Sequence, residues 1–330
     1  MSSSSTPEPS GDEARLLAIE EVEEAEAILE QRPPKAEKAL GEGSGGGRRG
    51  GWMTAALAAP GFAWLGFYLV APLVIIILVS FWTRTDSGFD KVWTTANYSE
   101  LFHDATYWNQ MLTSFETSLI AVAACLVFGF PVAYFLALKV EKLQNQIVLF
   151  IIALAPFWTS FLTRAIAWTF PLMGREGALN QLLLKLHIVS QPVQEFGFST
   201  LSVRLAMIQL YILFMITPLF FSLAQVDRSA IESARDLGGN WWRTFREVIL
   251  PQVMPGIVIG SIFIFVLTMG DYGTVNVVGG GNITSVGTLI YSKTTAIQYP
   301  QGAASAILLV IALMIGVWVI TRFSNLREEL

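Results

Sequence analysis

The chain has 330 residues, 53% of them hydrophobic and only 14% charged, with a mean hydropathy of +0.53 and a net charge of −5. Soluble domains carry roughly 25% charged residues, so this composition excludes a chain made only of ordinary water-exposed domains. Basic side chains are not clustered, which excludes a nucleic-acid surface, and the lone Cys125 excludes a disulfide framework or a Cys-based metal site.

The charge is unevenly placed. Residues 1–50 hold 11 acidic and 6 basic side chains, the whole of the net charge, while residues 51–330 balance. The opening SSSSTPEPSGDE lacks the basic start of a cleavable signal and reads as a disordered tail. Asp12–Arg32 predicts an acidic helix, solvated or docked on a partner, and GEGSGGGRRGG a flexible linker without the Gly-Lys-Ser/Thr ending of a nucleotide loop. Residues 51–330 form the membrane part.

Six stretches there lack Asp, Glu, Lys and Arg: 50–83, 117–138, 143–163, 205–226, 248–270 and 294–321. Each exceeds the roughly 20 residues that cross a bilayer as a helix. The expected spans are 57–82 (broken by Pro60 and Pro72), 113–138, 147–171, 201–225, 251–270 and 303–321. A polar loop is expected over Thr83–Leu112, and a short amphipathic piece over Ala178–Ile188. The uncharged stretch 272–292 is too rich in Gly, Asn, Thr and Ser to favour lipid and reads as loop. With an inside N-terminus, the inner segments hold ten Lys and Arg and the outer loops six, which predicts that both termini lie in the cytoplasm.

Residues 226–251, VDRSAIESARDLGGNWWRTFREVILP, differ from the other connections. Arg228–Leu237 predicts a helix, Gly238-Gly239 a helix stop, and Trp241–Val248 a second helix before Pro251 opens the fifth span. A plain connection needs only a few residues; this helix–turn–helix is built to dock another protein.

The segment resembles the cytoplasmic EAA loop of bacterial ABC-importer permeases of type I: Glu-Ala-Ala, three residues, Gly, nine residues, Ile-x-Leu-Pro. Glu232, Ala234, Gly238, Leu250 and Pro251 fall in register, with Ser233 and Val248 as departures of small volume. Gly129–Ala137, Pro156–Arg164, Gly270–Gly273 and Tyr299–Ala304 are similar to stretches of the spermidine/putrescine branch. The resemblance implies an all-α, six-span permease fold in the bacterial inner membrane. It also implies a cytoplasmic pair of ATPase subunits docked at loop 226–250, a second permease subunit (a heterodimer) and an extracytoplasmic solute-binding protein. The chain itself would be no enzyme and hold no cofactor, with ATP and Mg in the ATPase partner. A polyamine is the implied cargo; phosphonate, ferric ion and related solutes stay open.

Charges in or beside spans are costly and usually face a bundle interior or a wet cavity. Candidates for the substrate path are Asp271 with Tyr272, a carboxylate and an aromatic ring suited to an ammonium group, then Glu116, Arg164 and, in the resembling stretch, Trp158. An ATP-independent carrier or channel is the competing class, and would show inverted repeats, which this sequence does not display. A membrane enzyme has less support, since His103 and His187 both fall in expected loops with no nucleophile or ligand set around them.

Overall fold

The computed structural model describes residues 49–85, 88–169 and 176–325. The predicted tail, its helix Asp12–Arg32, and Arg48, Arg175 and Arg327 lie outside them. The chain divides between Ala71 and Pro72 into two compact units. Helix α1 runs Arg49–Ser80; in its first-unit part the exposed ring of Tyr68 contacts those of Trp64 and Phe67. The expected breaks at Pro60 and Pro72 do not occur. Membrane-type helices tolerate proline because neighbouring groups take over the freed carbonyls.

In the second unit, the expected loop Thr83–Leu112 is instead folded. An antiparallel hairpin pairs β1 (Trp82–Thr85) with β2 (Gly88–Trp93), followed by α2 (Ala96–His103) and the first turns of α3 (Ala105–Tyr134). Buried Asn97 ties this cap to the end of α1, donating to the carbonyls of Ser80 and Trp82.

Next come α4 (Leu143–Leu154), a tight turn Ala155–Trp158 and α5 (Phe161–Ala167). The expected straight third span 147–171 is a broken one, bent by 84° between Trp158 and Phe161. Pro156 cannot continue the helical ladder, and Thr159 turns its hydroxyl onto the Pro156 carbonyl at 2.6 Å, which closes the turn. Helix α6 (Ala178–Lys185) fits the expected amphipathic piece, and α7 (Thr200–Ala224) the fourth span.

After α7 come α8 (Arg228–Asp236), α9 (Trp241–Thr244) and α10 (Leu250–Met269). A π turn over Phe245–Ile249 joins α9 to α10, so the span is one helix from Trp241 to Met269. Pro251 therefore does not open it. The wide turn just before the proline accommodates a ring that lacks an N–H. Stretch 272–292, expected as loop, contains α11 (Gly273–Val278) and the start of α12 (Val286–Thr295); α13 (Tyr299–Asn325) completes the chain. Among the described residues, five helices are long and apolar enough to cross a membrane, and the bent pair makes a sixth if taken as one span.

Helix α7 is the packing centre, with Met207, Leu210, Met215 and Leu219 fully buried against α3 and α10. Small residues let the backbones approach. On α10, Gly256 and Gly260 form a Gly-x-x-x-Gly face: a Cβ at Gly256 would lie 2.7 Å from the Pro218 carbonyl oxygen, and one at Gly260 2.6 Å from Met215 Sδ. The Gly256 contact is with backbone, so no rotamer change relieves it.

Candidate functional site

Two polar assemblies sit at opposite ends of α10. At its start, α8 is capped by Asp227, whose carboxylate accepts the Ser229 amide at 2.8 Å and the Ser229 hydroxyl at 2.9 Å. Those bonds, the hydroxyl's first, hold the Asp227 carboxyl below its ordinary range. Helix α8 ends at Gly238, whose φ of +81° suits glycine alone without strain. Gly238 N–H donates to the Arg235 carbonyl and Gly239 N–H to that of Ala234, closing the last turn. Gly239 has no space for a side chain, since a Cβ would meet the Ala234 carbonyl at 2.5 Å. Asn240 then caps α9 by accepting the Arg243 amide at 2.8 Å.

The side chains on this rigid turn are left bare. Leu237 is 89% exposed, with Trp241 and Trp242 also exposed and stacked on Phe245. Phe245 meets Phe130 of α3 edge-on at 5.5 Å, which roots the segment in the bundle. The motif residues all fall on this segment or at its junction with α10. Glu232, Ser233 and Pro251 are exposed, Ala234 and Leu250 half-buried, and Gly238 stands at the turn.

At the far end of α10, Asp271 is buried at 8% exposure. Its carboxylate accepts the Tyr211 hydroxyl of α7 at 2.8 Å and the Thr274 amide at 2.9 Å, starting α11. Phe161 of α5 packs on the Tyr211 ring at 5.9 Å, so the helix that carries Arg164 joins this group. Arg164 lies over the Phe157 ring at 5.4 Å. Its buried Nε and one terminal nitrogen have no hydrogen-bond partner among the described residues. Tyr272, beside Asp271, is exposed and stacks on Tyr291 of α12.

The other two path candidates are placed differently. Glu116 is taken up by Arg204 in a 2.8 Å ion pair, and Trp158, 80% exposed, ends the tight turn of the bent span. Tyr211 and Tyr291 were not legible as site residues. A lone tyrosine in the apolar run of α7 was the one available signal, because a buried phenol needs a partner; Tyr291 had none.

A family model for the binding-protein-dependent transport system inner membrane component matches residues 126–327. The spermidine/putrescine transport system permease protein PotB of Escherichia coli (strain K12) is 34% identical over 272 residues, covering 81% of this chain and 97% of that protein. PotB of Haemophilus influenzae is 32% identical, covering 81% and 93%. A permease protein, PhnU, assigned to 2-aminoethylphosphonate transport in Salmonella typhimurium (strain LT2), is 24% identical, covering 79% and 92%. Among solved structures, a chain of a bacterial alginate ABC transporter in complex with a periplasmic protein shares the fold at a TM-score of 0.58 and 17% identity, covering 83% of this chain and 94% of that one. The exposed turn at one end of α10, the polar cluster at the other and this shared ancestry agree: the chain belongs to the inner membrane components of binding-protein-dependent ABC importers.

Proposed function

We propose that this permease passes a protonated amine, of the spermidine and putrescine type, into the cytoplasm. It does so beside a second permease subunit, with its termini and residues 226–250 on the inner side. A solute-binding protein delivers the cargo outside. A pair of ATPase subunits, which hold ATP and Mg, grips the α8–α9 turn inside.

The observation that carries this reading is the α8–α9 turn itself. It is fixed by two caps and a positive-φ glycine, yet presents Leu237, Trp241 and Trp242 bare. Exposed apolar side chains on a rigid turn fit a partner's groove. Force on that turn passes into α10, because a continuous helix joins it to Met269. The amine is supported by the relatives named for spermidine and putrescine. One observation favours a second reading: Arg164, whose buried Nε and one terminal nitrogen have no partner among the described residues, suits an anion such as a phosphonate.

The test is purification of the chain with its partners and reconstitution with the cognate binding protein. An ATPase should copurify and spermidine should enter on ATP. Gly238→Asp strains the turn and puts a carboxylate at its tip; it should cut uptake more than about tenfold, with the chain still inserted. Unchanged binding-protein-stimulated ATP hydrolysis in that variant would sink the docking role, and uptake of 2-aminoethylphosphonate but not spermidine would select the second reading.

A further inference from the structure

The carboxylate expected to meet an amine is already engaged. Both oxygens of Asp271 are hydrogen-bonded within the protein, to Tyr211 and to the start of α11. The exposed feature beside it is the pair of rings, Tyr272 and Tyr291, stacked at 4.8 Å and 11° and each nearly half exposed.

That stack is built by the fold. Gly287 lies one helical turn before Tyr291 on the same face of α12. A Cβ there would stand 2.8 Å from the Gly270 carbonyl oxygen and 3.1 Å from the Tyr272 nitrogen. The bare glycine thus lets α12 press on residues 270–272, which carries the Tyr291 ring onto Tyr272. Ser114 of α3 fixes the start of α12 by accepting the Val286 amide at 3.0 Å, and a Ser285–Thr288 capping box holds its first turn.

Next to the rings opens a groove of about 700 Å³, mouth included, lined by Gln110, Asn276, Thr288, Tyr291, Ser292 and Thr295 among others. Apart from Tyr291, no ionisable side chain is found in its described lining. Three of its hydroxyls are polarised one way. Thr288, Ser292 and Thr295 each donate their proton to a carbonyl of their own helix, at 2.8, 2.8 and 3.1 Å. The oxygens of Ser292 and Thr295 therefore keep lone pairs and no proton for the groove, while that of Thr288 also accepts the Ser285 amide at 2.7 Å. Gln110 adds a buried carbonyl oxygen with no partner among the described residues. Lys293, the cation of α12, donates instead to Gln301 of α13 at 3.0 Å, and Gln301 in turn bonds Glu100.

We propose that Tyr272 and Tyr291 form a cation–π platform which, with the acceptor-lined groove, is the transit site for the protonated amine; this rests on the amine reading above. An ammonium group finds ring faces and unshared oxygen pairs here, and no cation in the described lining competes with it. The attraction is also of the right size. A free carboxylate would hold a polycation tightly, and transport needs sites weak enough to leave.

The test is ATP-driven spermidine uptake by the complete reconstituted transporter carrying Tyr291→Leu, Tyr272→Leu, Tyr291→Phe or Tyr291→Trp. The leucine variants should raise the apparent KM roughly threefold to thirtyfold, while Phe and Trp, which keep a ring face, should stay within about twofold. Leucine variants as good as the unmodified protein, or a Phe variant as poor as Leu, would overturn the platform. Should a leucine variant fail to assemble, the Phe and Trp pair still decides, because a site read through the hydroxyl loses both. Absence of amine uptake by the unmodified transporter overturns the amine reading and the platform with it; uptake indifferent to the rings overturns the platform alone.

Discussion

The two ends of α10 are held together by different kinds of bond. At the α8–α9 turn nearly every fixing contact is local: Asp227 to Ser229, Gly238 to Arg235, Asn240 to Arg243, and the exposed Arg243–Glu247 pair one turn apart. At the α11–α12 end the fixing contacts reach across the chain, with Tyr211 and Asp271 separated by 60 residues and Ser114 and Val286 by 172. A locally wired element keeps its shape while its neighbours move, as the proposed docking role requires. A non-locally wired one keeps its shape only while the bundle around it does, so its geometry can respond to the state of the bundle.

The largest effect separates the two ends directly. Gly287→Leu drives a side chain into the backbone of residues 270–272; overpacking of this kind costs about 1–3 kcal/mol. It should lower the thermal midpoint of the purified chain, part the Tyr272–Tyr291 stack and abolish most amine uptake. Gly239→Leu also meets backbone, the Ala234 carbonyl at 2.5 Å, but in a turn that the bundle does not depend on. It should leave the midpoint within about a degree or two, because a surface segment contributes little to global unfolding, while ATPase coupling is lost. Equal shifts in midpoint would show that the two ends are not wired differently.

The same distinction decides what could be read from the sequence. Caps, a Gly-Gly stop and an i, i+4 pair are written in adjacent letters, so α8, its stop and the start of α9 were legible to within a residue or two, while the continuation of α9 through Pro251 was not. So were the apolar spans over α3, α7 and α13, because hydropathy is a sum over one stretch. The 84° bend was half legible: Pro156 was visible, but not that the helix would turn rather than kink. Residues 272–292 read as loop because their Gly, Ser and Thr content opposes burial in lipid; α12 forms there because Ser114, distant in sequence, accepts the amide of its first residue. Asp271 was found, but its partner was not, for the same reason. A carboxylate in an apolar region looks free until its phenol partner on another helix is known.

An effect that falls on stability, and less on uptake, tests that partner. Tyr211→Phe removes the hydroxyl that Asp271 accepts while keeping the ring on Phe161. A hydrogen bond to a charged group contributes roughly 1.5–3 kcal/mol, and the Thr274 amide remains. The variant should unfold earlier than the parent, and Asp271→Asn should relieve part of the loss, since a neutral amide tolerates burial better than an under-bonded carboxylate. Purely additive losses in the double variant would mean that the two groups are not coupled.

The smallest effect belongs to the α8–α9 end and is confined to one helix. Asp227 caps α8 as a carboxylate, and its bonds to Ser229, hydroxyl first and then amide, lower its pKa from the ordinary 3.8. A depressed pKa means that the fold favours the ionised form. Its contribution is complete above the ordinary value and is lost as pH falls through the folded one. Hydrogen exchange at the amides of residues 229–231 should therefore hold its protection from neutral pH down through the usual carboxylate range and lose it only below. Asp227→Asn, which keeps an acceptor, should cap nearly as well as the parent at neutral pH and show no such fall. Asp227→Ala should exchange faster at every pH. In none of the three should protection in α12 change, since no bond of that helix passes through this cap; a matching change there would mean that the two ends of α10 are one cooperative unit.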